Sequence, residues 1–171
     1  IRMNIGGADN LALALADLEM ALQLQPELPE AYVNQAYIYF RQGRPMIEVV
    51  PVVEQALALR PGYGTALNTL CWGYALEQQP QEAMPYCQQA VATEPDRANF
   101  KDSRGLALAL LGDFPAAIAD FQAYIAWLET QPVDTFEQQL ARRREWVEAL
   151  RAGESPFTPA LLNQLRREFG E

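Results

Sequence analysis

Any chemistry in this chain would have to come from two cysteines, scattered carboxylates and a few aromatic rings, because its 171 residues include no histidine. That absence removes the commonest general base and the commonest neutral metal ligand together, and with them Ser-His, Cys-His and His-metal sites. Cys71 and Cys87 stand sixteen residues apart with no further thiol, too few ligands for a structural zinc. Their apolar helical surroundings predict plain core residues, which fits a reducing compartment and a cytoplasmic location. Acidic pairs such as Asp17/Glu19 and Asp96/Asp102 arise by chance in an acidic helical protein. No GxxxxGK[ST] or GxGxxG loop is present, nor the strand that should precede one. The residues predict no catalysis, no cofactor and no metal, and leave binding as the available function.

The elements that would carry a binding surface are visible as a period. Small or aliphatic residues recur at Ala14, Val49, Ala83 and Ala117, and again at Ala21, Ala56 and Ala90, with Tyr124 closing the series. Bulkier residues recur between them at Leu18, Val53, Cys87 and Phe121, and prolines follow at Pro26, Pro61 and Pro95. A repeat of about 34 residues implies stacked units, each able to bury its apolar face only against a neighbour. Proline and glycine breaks predict helices over 9–25, 30–42, 46–59, 64–78, 81–93, 97–111 and 115–130. Short links such as Gln42-Gly43-Arg44-Pro45 and Gly112-Asp113-Phe114-Pro115 predict antiparallel helix hairpins. Pro45, Pro85 and Pro115 are expected in or close to first turns.

The pattern resembles the tetratricopeptide repeat. The second unit carries Tyr32, Gln35-Ala36, Tyr39, Val49, Val53, Ala56 and Pro61; the third carries Leu67, Leu70-Cys71, Tyr74, Ala83, Cys87, Ala90 and Pro95. The fourth supplies Gly105, Leu108, Gly112, Ala117 and Phe121, with Lys101 in place of the first aromatic and Tyr124 in place of an alanine. The resemblance implies an all-α, right-handed superhelical solenoid of antiparallel helix pairs over residues 1–133. It would comprise a half repeat over 1–28 and repeats over about 29–61, 62–95 and 96–130. Beyond it, Asp134 or Thr135 is expected to cap a helix with Phe136, Leu140, Val147 and Leu150 on one face, stopped by Gly153. Thr158-Pro159 is expected to open a last helix with Leu161, Leu162, Leu165 and Phe169 on one side. These two helices, over 134–171, are expected to cap the stack within the same domain. The curvature of such a fold also allows the last helix to fold back into the groove and occupy it, in which case contacts of Leu161, Leu165 and Phe169 with Tyr37 and Trp72 would close the expected binding surface. The stretch 142–168 also resembles the end of repeat domains attached to the C-termini of large bacterial multidomain signalling and protease-like proteins.

In such a fold the first helix of each pair lines a concave groove. Placed on the family pattern, the inward side chains are Val33, Asn34, Tyr37 and Arg41, then Asn68, Thr69 and Trp72, then Asp102 and Leu106. Tyr37 and Trp72 are the expected anchors, since large amphipathic rings dominate interface hot spots. The competing reading packs either ring between units, and leaves Asn34 and Asn68 simply solvated. Co-chaperone tetratricopeptide domains clamp acidic tails with Lys and Arg placed among Asn. This chain resembles them at Asn34 alone, with Thr69 where an arginine would be expected.

Charge narrows the partner. Residues 1–133 hold seven Lys/Arg against fifteen Asp/Glu, a net of −8, which disfavours nucleic acid and acidic tails. Arg142, Arg143 and Arg144 read as a solvated helix face, with Arg144 paired to Glu148. No apolar run is long enough to span a membrane. The expected function is a non-catalytic scaffold binding a neutral or basic peptide, or a helix, in its groove. The alternative is a structural or regulatory segment packed in cis on another domain of a longer parent, because residues 1–7 are too short to complete the first unit. A homodimer through the N-terminal half repeat is compatible with either.

Overall fold

Helix ends fall where proline, glycine and short polar links interrupt the apolar period. The computed structural model describes residues 8–132 and 136–168. Among them every regular element is an α-helix: α1 (Ala8–Leu24), α2 (Pro29–Arg41), α3 (Met46–Leu59), α4 (Gly64–Leu76), α5 (Pro80–Thr93), α6 (Ala98–Leu110), α7 (Phe114–Leu128), α8 (Glu137–Arg151) and α9 (Pro159–Glu168). The expected caps Asp134 and Thr135 lie outside the described residues, as does Phe169. Thr158 does cap α9, its hydroxyl accepting from the Leu161 amide at 3.3 Å, and Asp113 caps α7 by accepting from the Ala116 amide at 3.2 Å. Pro115 opens α7 as expected and Pro45 is the N-cap of α3. Pro85 instead lies inside α5, one period after Pro51 inside α3.

The hairpin turns share one geometry. Gly43 and Gly112 hold φ of 73° and 84° after α2 and α6, and the next amide reaches back to the helix, Arg44 to the Tyr39 carbonyl and Asp113 to the Leu108 carbonyl, each at 3.0 Å. After α4 the same place is taken by Gln78 at φ 59°, with Gln79 bonded back to Tyr74 at 2.9 Å. A side chain is tolerated there because the turn closes two backbone bonds in return.

These turns produce the pairs α2/α3, α4/α5 and α6/α7, and consecutive pairs stack in the manner of a helical repeat. The first helices form a row of direct neighbours, α2 on α4 and α4 on α6, while α3 and α5 each lie between two of them. Val49, Ala83 and Ala117 are fully buried, as are Ala56 and Ala90, so the recurrent small residues sit where helices cross. Gly73 marks the closest approach: a Cβ there would run into the Phe40 ring and lie 2.6 Å from Met46 Sδ.

One sequence expectation is overturned within this core. Cys71 on α4 and Cys87 on α5 are not separate thiols but a disulfide. The expectation failed because both occupy ordinary core positions of the repeat, where nothing in the spacing separates a bonded pair from two packed residues. The bond also removes the ground for expecting a reducing compartment, since disulfides persist chiefly in oxidising ones. It closes a short loop, for which chain entropy gives about 3 kcal/mol of stabilisation. Denatured protein should therefore show no free thiol until reductant is added and two afterwards. The denaturant midpoint should fall on reduction by an amount equivalent to about 3 kcal/mol. Two thiols titrating without reductant would show the residues unbonded.

Candidate partner-binding surface

The surface expected to bind is the exposed side of the row α2–α4–α6. On α2, Asn34, Tyr37 and Arg41 form a half-buried stripe, whereas Val33 is buried in the core with Ala36 and Phe40. Burial pushes the Tyr37 phenol above its ordinary pKa, with a hydrogen bond to the Thr69 side chain acting against it. On α4, Asn68, Thr69 and Trp72 are all buried. Thr69 donates to the Thr65 carbonyl of its own helix at 2.8 Å and has no surface to offer. On α6, Asp102 and Leu106 are buried as well. Six of the nine expected residues therefore lie inside the protein, and the open face expected for them is covered.

The cover is the C-terminal region. α8 continues the stack by packing on α7, but α9 does not cap its end as expected; it folds back onto α2 and α4. Leu162 and Leu165 of α9 are buried in one cluster with Trp72 and Leu76 of α4, Leu106 of α6, and Trp146, Val147 and Leu150 of α8. Burying each leucine stabilises by about 1.5–3 kcal/mol. Phe157, just before α9, sits against Trp146 with ring centroids 4.9 Å apart and edge-on geometry.

Charged bonds fix this arrangement. Arg143 of α8 makes a two-pronged bond to Asp102 of α6, Nε to Oδ1 at 3.1 Å and Nη2 to Oδ2 at 2.7 Å, with both side chains buried. Burial alone would lower the Arg143 pKa, but the Asp102 charge and hydrogen bonds outweigh it and raise it above the ordinary value. The guanidinium also lies 4.5 Å from the Trp146 ring centroid. Arg142 pairs with Glu168 near the end of α9. Arg166 of α9 pairs at 2.9 Å with Glu77, which also accepts from the Met46 amide at 2.9 Å and so ties α9, α4 and α3 together. The three consecutive arginines are thus not one solvated face: only Arg144 is exposed, and its partner is Glu129 at 2.7 Å rather than Glu148.

A pocket of about 360 Å³, partly open to solvent, remains where α4, α6, α7, α8 and α9 meet, lined by Asn68, Asn99, Ser103, Gln138 and the Arg142 and Arg143 pairs among others. The Asn68 Oδ1 is buried without a hydrogen-bond partner. Tyr124 borders the same pocket and donates to Gln139 Oε1 at 2.9 Å. Among the described residues no group of three or more His, Cys, Asp and Glu could hold a metal ion, and no helix is long and apolar enough to cross a membrane. Sequence reasoning placed Asp102 at this surface but missed Arg143 and Glu77. Their partners are 41 and 89 residues away, beyond any local spacing signal. No family model matches the chain, and no curated protein matches it.

Two outcomes follow from the buried charges. Asp102→Ala should lower stability by about 3–5 kcal/mol in a denaturant melt, because it strands a buried guanidinium. Replacing both partners by apolar residues, Asp102→Leu with Arg143→Met, should restore most of it. Burial first, then the Asp102 charge, pushes the Tyr124 phenol up to about 12. A phenol whose folded pKa is raised favours the folded state while it stays protonated. That contribution is complete below its unfolded value of about 10 and is lost as pH rises through the folded one. Stability should therefore fall between pH 10 and about 12, and Tyr124→Phe should flatten that fall; an unchanged profile in the variant would assign the loss to other groups.

Proposed function

We propose that this chain is a non-catalytic protein-interaction scaffold of tetratricopeptide type, a right-handed superhelix that receives a partner on the side of α2 and α4. The observation that carries this reading is α9 itself: the face in question already accepts an amphipathic helix, through two leucines and two charged pairs. The acidic repeat body favours a neutral or basic partner over nucleic acid or an acidic tail. The disulfide supports an oxidising compartment in place of the cytoplasmic location expected from the sequence.

A second reading has its own observation. α1 exposes Leu13, Met20 and Leu24, at 66%, 62% and 79%, and among the described residues packs chiefly on α2, whereas α3 and α5 each lie between two first helices. That stripe supports attachment in cis to another domain, or self-association, through α1.

Affinity capture with a short cross-linker separates the two. A variant with Asn34→Ala, Tyr37→Ala and Arg41→Ala should lose partners that a variant with Leu13→Ser, Met20→Ser and Leu24→Ser retains, with cross-links clustering near α2. The reverse pattern would overturn the α2–α4 reading in favour of attachment through α1.

A further inference from the structure

The chemistry of α9 is also the chemistry of a ligand. Its buried face presents Leu162 and Leu165, three residues apart, followed directly by Arg166 and then by Glu168, while Asn163, Gln164 and Arg167 stay exposed. We propose that α9 is a displaceable occupant of the α2–α4 surface, and that the partner of this surface is an amphipathic helix with the same pattern: two leucines three apart, an arginine after the second, and a glutamate three residues after it. This rests on the scaffold reading above and names the partner class.

Three observations argue for displacement. First, the groups that recognise the charges of α9 belong to other elements: Glu77 ends α4 and Arg142 lies on α8, so both remain when α9 leaves. Second, α9 is ten residues long, too short to stay helical alone in water, so it is ordered by docking and melts when undocked. Residues 152–155, which lead into it, are exposed, and Phe157 is the buried anchor before it. Third, the stack does not run through α9. Each helix from α1 to α8 packs on the next, and α9 lies across α2 and α4 without standing between stacked neighbours. The charges agree as well, since α9 carries two arginines against one glutamate and faces a repeat body of net −8.

An occupant tethered in cis lowers the apparent affinity of any free competitor by the fraction of chains in which the surface is open. A fluorescein-labelled peptide of residues 154–168, titrated into the full chain and followed by anisotropy, reads that fraction. The Leu165→Asp chain, whose own α9 no longer docks, should bind the peptide at least tenfold tighter than the unaltered chain. The Arg142→Glu chain should prefer a peptide carrying Glu168→Arg over the unaltered peptide by at least tenfold, which fixes the register of docking. Should Leu165→Asp fail to fold, the Arg142→Glu pair decides alone, because that side chain is not part of the core. Excess peptide should also release partners captured through α2. Absence of peptide binding by helical variant chains would overturn the proposal and make α9 a fixed cap; partners that stay captured in that case leave the scaffold reading standing. Peptide binding with the expected preferences, but without any partner captured through α2, would support the displaceable helix and remove the scaffold reading.

Discussion

Each unit of this protein turns on one contact, between a position on its first helix and a position on its second that together must fill a fixed gap. The pairs are Ala36 with Val53, which share one buried cluster, Cys71 with Cys87, which are bonded, and Gly105 with Phe121, which lie against each other, one period apart on each side. All five side chains bury completely, and the sixth residue is the buried Gly105, whose absent Cβ leaves room for the Phe121 ring, with atoms 3.0–3.2 Å from where a Cβ would stand. Packed helices stay about 8–10 Å apart, so a larger residue on one side requires a smaller one on the other. The three units meet that requirement as small with medium, as a covalent bond, and as none with large. The period survives because the sum is held while the terms vary. For the same reason the disulfide at the middle unit is a local variant of a packing contact and does not set the fold.

What the repeat does not supply is closure of its exposed row, and that depends on charge. A buried ion pair is a weak source of stability, because desolvating both partners offsets most of their attraction. What the Asp102–Arg143 bond contributes is position. Arg104 to Asp120, at 2.7 and 2.8 Å, joins two helices that the hairpin already makes neighbours. Arg143 to Asp102 joins α8 to α6 across 41 residues, and on the same helix Trp146 packs, together with Phe157, against Phe121. From there α9 docks on the apolar surface that includes Trp72 and Leu76.

The local part of this design was legible, whereas the residues left the return of the chain open between an end cap and a fold-back into the groove. Proline and glycine mark helix ends by backbone sterics alone, so bounds such as Met46–Leu59 and Phe114–Leu128 lie within two residues of those read from sequence. The repeat pattern specifies direction along a helix, and Asn68, Trp72 and Asp102 do line one pocket, with Trp72 and Leu106 in one buried cluster. Direction is not exposure. Whether Trp72 meets solvent depends on Leu165, which lies 93 positions later and whose helix, judged by its own residues, suits an end cap and a fold-back into the groove equally. Arg143 was invisible for the same reason: among three consecutive arginines, only the Asp102 carboxylate brought up by another helix distinguishes the buried one. Gln78 was missed differently, since a positive φ at a non-glycine residue leaves no mark in composition.

The contrast between the two apolar surfaces of the chain bears on how it avoids indiscriminate association. α1 shows Leu13, Met20 and Leu24 beside Asp17 and Glu19, so its stripe is narrow and flanked by like charge. The α2–α4 face includes the Trp72 indole, and a surface of that kind left bare would attract exposed apolar segments. On the proposed reading, covering it with a tethered helix of opposite net charge would set a threshold that a passing apolar segment does not meet. A competitor would have to match two leucines and both charged ends to do better than an occupant that is always present at high effective concentration. Specificity would then arise from what must be displaced as much as from what is bound, and the covering of Trp72 and Leu106 by α9 would be part of recognition.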